Sequence, residues 1–248
     1  MTGTSSSSAN TVGSRVGDPA LSLVIPLFDE EAGVRGVVRS LVGTLDEAGI
    51  AFQLVLVDNG SRDGTLGVIQ EIARGDPRVE VLHLPSNGGY GGGILAGLRV
   101  SRAPVLGYLW GDDQVGHHVV PDLLRRITEQ GADLAKARRV IRLDGRHRRA
   151  LTRVYHTVFP LFFRLPSRDI HGCPKLFTRE AFERIAPVSR DWFLDAEVMI
   201  RATELGLRIS ELDVVAYPRA TGESHVRWGT VLEFGINLVR FKLIRPHG

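Results

Sequence analysis

The apolar run Leu54 to Val57 stops at Asp58 and Asn59 and then turns through Gly60. Such a run reads as a buried strand, and its end is the edge at which open α/β sheets bind ligands. A carboxylate there can accept hydrogen bonds from a nucleobase or a ribose. The competing use is structural, with Asp58 and Asp63 capping the helix that Thr65 to Ala73 would form. The pattern recurs along the chain. Residues 21–31 form a preceding strand that closes through Pro26, Phe28 and Glu30. A third strand, 79–84, leads into Asn87 and the run Gly88 to Gly93, interrupted by Tyr90. A fourth, 105–110, ends in Gly111, Asp112, Asp113 and Gln114. Asp112, Asp113 and Gln114 offer the oxygen ligands that Mg²⁺ or Mn²⁺ prefer. Four consecutive strand ends thus bring polar or flexible groups to one edge.

Cations follow the acids. Residues 138–149 include Arg138, Arg139, Arg142, Arg146, Arg148 and Arg149. Arginine keeps its charge and meets phosphate bidentately. Most of a charged run is solvated surface, which leaves one or two phosphate ligands, Arg139 first. Lys175 is a further cation. Asp195 and Glu197 stand two apart, so on a helix they diverge and cannot both face one atom. Asp195 is the better candidate. As a base it could take the proton of an attacking hydroxyl, whereas an already ionised phosphate would need only positioning. Both acids also suit plain roles as caps or ion-pair partners. His171 has no second ligand at metal spacing and is not read as a zinc site. The run Gly91 to Ala96 satisfies the letters of a dinucleotide fingerprint but follows the third strand instead of the first. It is read as a false match, its glycines allowing close backbone approach.

The elements that must position these groups alternate. The segment Asp29 to Ala48 carries Val34, Val37, Val38, Leu41, Val42 and Leu45 at helical spacing,. Helices are predicted at 65–73, 94–102, 119–130 and 194–205, and further strands at 134–137, 172–178 and 208–215. Strand alternating with helix argues a mostly parallel sheet covered on both faces. A chain of 248 residues can bury a large core as one domain,. Its 43% hydrophobic and 24% charged residues are ordinary for a globular protein,. The net charge of +3 suits anionic partners,, yet no recognition motif supports nucleic acid. The single Cys173 excludes an intrachain disulfide and fits a reducing compartment,. Residues 1–18 read as a flexible tail and not as a signal peptide. No apolar run reaches the length of a membrane span. Residues 155–164 and 228–245 mix aromatic and basic residues, as interfacial helices do and as helices packed on a core also do.

The order of strand ends, together with Trp192 to Glu197 and with Arg219, Ser224, His225 and Arg227, resembles family 2 glycosyltransferases. Within that family it is most similar to polyprenyl-phosphate glycosyltransferases of the dolichol-phosphate-mannose-synthase type. The resemblance runs from about residue 21 to residue 227. It implies an α/β, GT-A (Rossmann-like) three-layer fold at 19–227, followed by an amphipathic C-terminal helix and tail at 228–248. It implies inverting transfer of a sugar from a UDP or GDP sugar to polyprenyl phosphate, assisted by Mg²⁺ or Mn²⁺, by a cytoplasmic enzyme peripheral on the inner membrane face.

Under the resemblance, Pro26, Phe28, Glu30, Asp58, Asn59, Gly89, Gly91, Asp112, Arg139 and Lys175 contact the donor. Asp112, Asp113 and Gln114 hold the metal. Arg138, Arg142, Arg219, Ser224, His225 and Arg227 serve the acceptor and its phosphate, and Asp195 and Asp112 are catalytic. Two positions depart from the family pattern. Trp110 stands where the first acid of its Asp-x-Asp motif is expected, and His225 where a lysine often follows the serine. Those departures keep open a soluble transferase acting on a hydroxyl of a small molecule or saccharide, and a nucleotide-sugar-binding protein without turnover.

Overall fold

A computed structural model describes residues 18–111, 115–142, 167 and 169–217. Seven strands form one sheet in the order β3-β2-β1-β4-β6-β5-β7. They are β1 (Leu21–Leu27), β2 (Phe52–Asp58), β3 (Val79–His83), β4 (Val105–Tyr108), β5 (Leu134–Arg142), β6 (Lys175–Thr178) and β7 (Ile209–Ala216). The helices are α1 (Val34–Glu47), α2 (Thr65–Gly75), α3 (Tyr90–Val100), α4 (Val119–Thr128), α5 (Arg179–Ile185) and α6 (Leu194–Glu204). Neighbouring strands are parallel except at β6, which runs against both β4 and β5. The predicted mostly parallel α/β sheet is therefore present. The segments 1–17, 155–164 and 228–248, with the tail and helices expected there, lie outside the described residues.

β1 and β2 are apolar on both faces because helices cover both, and Leu23, Ile25, Leu54 and Leu56 are fully buried,. The apolar stripe of α1 predicted from spacing is buried at Val34, Val37, Val38, Leu41 and Leu45,.

The helix predicted from Asp29 starts five residues later. The intervening acids are engaged elsewhere: Asp29 Oδ1 accepts from the Arg62 amide (2.7 Å) and Glu31 Oε2 from the Gly64 amide (2.8 Å). Those bonds tie the end of β1 to the loop after β2. In the other direction, α3 begins at Tyr90 instead of Ile94, so three glycines form its first turn. β5 continues five residues past its predicted end, with a bulge between Arg139 and Ile141,. Helix α5 was not predicted. It is capped by Thr178, whose hydroxyl accepts from the Ala181 amide at 3.0 Å,.

The chain reverses its direction of growth between β1 and β4. The first three strands step one way and the rest the other, which makes the crevice outside their carboxyl ends the topological switch point of the sheet,. Helix α3 closes one side of it by lying tight on β1 and β2 at Gly97. A Cβ there would overlap Val24 Cγ1 and stand 2.9 Å from Val57 Cγ2. Gly97→Ala is expected to destabilise the fold by about 1–3 kcal/mol through overpacking against stiff β-branched side chains. Urea unfolding should show a lower midpoint with an unchanged slope.

Candidate active site

Four residues in register cross the sheet near its switch point. Tyr108 pairs with Lys175, Lys175 with Lys136, and Lys136 with Glu211, so their side chains share one face,. Tyr108, Lys136 and Lys175 are fully buried. A buried ammonium is tolerated only when paired, and each lysine has its acid.

Lys175 Nζ forms an ion pair with Asp195 Oδ1, both side chains being completely shielded from solvent. Asp195 is presented by the first turn of α6. Its Oδ1 also accepts from the Tyr108 hydroxyl at 2.7 Å. Its Oδ2 accepts from the Tyr90 hydroxyl at 3.2 Å and faces His171 Nδ1 at 3.4 Å. Burial alone would push the Asp195 carboxyl up, but Lys175 and His171 outweigh it and hold the group well below the usual carboxylate range,. Tyr108 is shifted the opposite way, by burial and then by the Asp195 charge, and so stays a hydroxyl donor.

A second buried pair lies beside the first. Asp169 Oδ1 and Oδ2 take Arg139 NH2 (2.8 Å) and Nε (2.9 Å), a bidentate fork, and Oδ2 also takes the Arg139 amide (2.8 Å),. Burial opposes the Asp169 charge, yet Arg139 and Lys136 hold this carboxyl too far below its ordinary range. Lys136 Nζ donates to the Asp169 carbonyl (2.6 Å) and to Glu211 Oε1 (3.0 Å). Burial lowers the Lys136 pKa, and the neighbouring Lys175 charge lowers it further.

The two pairs meet through aromatic side chains. The Arg139 guanidinium lies over the Trp110 ring, 5.1 Å from its centroid,. Trp110 Nε1 donates to the Tyr90 hydroxyl at 2.7 Å, and that hydroxyl passes its own hydrogen to Asp195. Tyr90 stacks on Trp192 with centroids 4.3 Å apart and planes 8° from parallel. The indole at 110 is therefore clamped between a hydroxyl and a cation. An indole N–H is a donor only, so Trp110 cannot serve a metal as an acid in its place would.

Several expected site residues have structural partners. Asp58 is fully buried, and both its oxygens are taken, by the Ser61 amide (3.0 Å) and by His83 Nδ1 (2.7 Å). These two contacts anchor the loop after β2 and the end of β3. Asp63 Oδ1 accepts from the Thr65 amide at 3.0 Å at the start of α2. Asn59 binds the Gly88 amide (3.0 Å) and the Gly89 carbonyl (3.0 Å). A Cβ at Gly89 would overlap the Arg190 carbonyl oxygen, and one at Gly91 the Ser189 carbonyl oxygen. The backbone these glycines admit is thus the protein's own. Gly89 also has φ +82°, a left-handed conformation that suits glycine,.

Glu197 points away from Asp195, as their spacing requires. It accepts from the Val188 (3.0 Å) and Ser189 (2.7 Å) amides and pairs with Arg201. Arg138 binds the exposed Asp213 and also pairs with Glu211, the partner of Lys136. Pro26 and Phe28 are partly buried at the end of β1, and Glu30 lies just beyond it with its amide on Thr65 Oγ1 (2.9 Å). Asp112, Asp113, Gln114, Arg219, Ser224, His225 and Arg227, and the Arg142 side chain, lie outside the described residues. Among the described residues no group of three His, Cys, Asp or Glu side chains could hold a metal ion.

Lys136, Tyr90, Tyr108 and Asp169 were not singled out as site residues. Lys136 left a legible signal, a charged residue between two alanines in the strand predicted at 134–137. Tyr90 left one too, as the sole large side chain in the glycine run.

Two predictions test the buried pairs. Lys175→Met should destabilise by about 3–5 kcal/mol, because it strands the Asp195 charge. Adding Asp195→Leu should recover part of that loss, since an apolar pair is tolerated where half an ion pair is not; urea melts of the single and double variants measure both. Asp169 and Asp195 titrate below their unfolded-state value of about 3.9. Their stabilisation is therefore fully present above that pH and is lost as pH falls below it,. Unfolding free energy should be nearly flat in these two groups from neutral pH to about 5 and should fall below about 4.

Comparison with known proteins agrees with this architecture. Residues 22–186 match the model of glycosyl transferase family 2. Glycosyltransferase AglD of Haloferax volcanii is 29% identical over 208 residues, covering 80% of this chain and 33% of that protein. An undecaprenyl-phosphate 4-deoxy-4-formamido-L-arabinose transferase of Pseudomonas aeruginosa is 31% identical over 229 residues, 91% of this chain and 66% of that one. The chain thus spans between a third and two thirds of the curated relatives it matches. The crystal structure of glucosyl-3-phosphoglycerate synthase from Mycobacterium tuberculosis, in complex with Mn²⁺, UDP and phosphoglyceric acid, superposes with a TM-score of 0.70. The sequences are 18% identical, and the match covers 91% of this chain and 78% of that one. The fold is that of the GT-A glycosyltransferases. On the family match across most of its length, this chain belongs to glycosyl transferase family 2.

Proposed function

We propose that the chain transfers a sugar from a uridine or guanosine diphosphate sugar to a polyprenyl phosphate, with inversion at the anomeric carbon. The observation that carries the choice of acceptor is the state of Asp195. It is the acid the sequence brings to the acceptor side, yet it is fully buried, held ionised and engaged by Lys175, Tyr108, Tyr90 and His171. A carboxylate so enclosed cannot take a proton from an attacking hydroxyl. A lipid phosphate is already ionised and needs none removed. The naming of the Pseudomonas aeruginosa relative for an undecaprenyl-phosphate acceptor points the same way.

In this reading a phosphate oxygen of the acceptor attacks the sugar carbon in line. The carbon–oxygen bond to the nucleoside diphosphate breaks as the new one forms, and the diphosphate leaves with the electron pair. Asp112, Asp113 and Gln114 would hold the Mg²⁺ or Mn²⁺ that neutralises charge on the departing diphosphate; Mn²⁺ in the Mycobacterium tuberculosis complex supports this. Arg142, Arg219, Ser224, His225 and Arg227 would cover the acceptor phosphate, with Arg138 contributing at the rim. Asp195 acts as a positioning residue that fixes Tyr90, and through it Trp110, at the edge of the crevice. No helix among the described residues is long and apolar enough to cross a membrane. Residues 155–164 and 228–245 would instead lie on the inner membrane face beside the acceptor.

Incubation of the chain with labelled UDP and GDP sugars, Mg²⁺ or Mn²⁺, and a short polyprenyl phosphate should move label into the organic phase. That transfer should stop on chelation. Asp112→Ala should lower the rate by two orders of magnitude or more, on the order of what loss of one preorganised charge-stabilising group costs. Donor consumption with all label left in water would favour a hydroxyl acceptor. No consumption at all would favour a binding protein without turnover, with Trp110 as the residue to revert to aspartate.

A further inference from the structure

Asp58 and His83 close β2 and β3 as register partners at the ligand edge of the sheet. Asp58 is sealed in, its Oδ1 held by the Ser61 amide and its Oδ2 2.7 Å from His83 Nδ1. With Asp58 as the acceptor, Nδ1 carries the hydrogen of that bond,. A neutral imidazole that donates through Nδ1 presents Nε2 as a bare acceptor. The His83 side chain is 50% exposed while that of Asp58 is 1% exposed. Among the described residues Nε2 has no hydrogen-bond partner. The buried acid thus fixes the ring and its tautomer, and half of the side chain stays exposed.

The position fits a nucleobase. The crevice of the switch point lies between the ends of β1 and β4, where a diphosphate would sit. A nucleoside attached to it can extend over the ends of β2 and β3. Asp58 cannot read the base itself, because it has neither exposure nor a free oxygen. Asn59 is equally committed, to Gly88 and Gly89.

We propose that His83, oriented by Asp58, determines which nucleobase the site accepts. Nε2 takes a hydrogen bond from a base with a ring N–H, such as N3–H of uracil or N1–H of guanine. It rejects cytosine and adenine, whose corresponding ring nitrogens are themselves acceptors. This inference rests on the reading of the site as one for a nucleotide sugar.

The test is calorimetric binding of UDP, CDP, GDP and ADP to the full chain, with Mg²⁺, in buffer alkaline enough to keep histidine neutral. The wild type should bind UDP more tightly than CDP, or GDP more tightly than ADP, by about tenfold, the discrimination expected when a mismatched base leaves polar groups unpaired. His83→Phe should abolish that preference without loss of the folded state, checked by circular dichroism. His83→Gln, which keeps a side-chain acceptor, should retain much of it. A preference that survives His83→Phe, or a wild type that binds all four alike, overturns the role of His83 while leaving nucleotide binding intact. Binding of none of the four would overturn the nucleotide-sugar reading itself.

Discussion

Two ammonium groups and two carboxylates lie inside this sheet, and the site is arranged around keeping them paired. The Lys175–Asp195 contact is the centre of that arrangement, because both partners are completely shielded. An isolated charge in that position would cost several kcal/mol. The pair persists because the hydroxyls of Tyr108 and Tyr90, together with His171, fill the remaining acceptor positions of Asp195. From there the constraint spreads outward. The Tyr90 hydroxyl donates to Asp195 and accepts from the Trp110 indole, so it is satisfied on both sides. The Trp110 ring in turn carries the guanidinium that Asp169 holds in a fork. Such networks stabilise when every member is satisfied and do the reverse when one is missing.

That economy of partners bears on chemistry. A group used to neutralise a buried lysine is not available as a base. Asp58, which the sequence marks for the donor, and Asp195, which it marks as catalytic, are both enclosed, and each orients a further group. For Asp58 that group is a half-exposed imidazole, and for Asp195 a tyrosine stacked on a tryptophan. The acid nearest to Asp195 in sequence, Glu197, holds two amides of the segment before α6 and pairs with Arg201.

Much of the fold was legible from local pattern. Apolar runs ending in polar turns located the central strands, and helical spacing on Val34 to Leu45 located α1. Element ends were less legible where a long-range contact set them. Helix α1 starts late because Asp29 and Glu31 bind the loop after β2. Helix α3 starts early because its glycines let Arg190 approach, with the Gly92 amide 2.9 Å from the Arg190 carbonyl. Within the site, residue type identified Asp195, Lys175 and Arg139, but not that Lys175 pairs with Asp195 and Arg139 with Asp169. That is decided by cross-strand register, which aligns Lys136 with Lys175 and cannot be read from either segment alone.

The one reversed strand has a consequence for how such a protein can change over time. Because β6 runs against β4 and β5, it begins at the edge where they end. The connection from Arg142 to Lys175 therefore leaves the sheet and returns to it on the ligand side. Both ends of that connection stand at the ligand edge, so its length can change without moving a single rung of the sheet. Descendants of one ancestor can in this way diverge at that edge while the charged interior, which tolerates few substitutions, stays as it is.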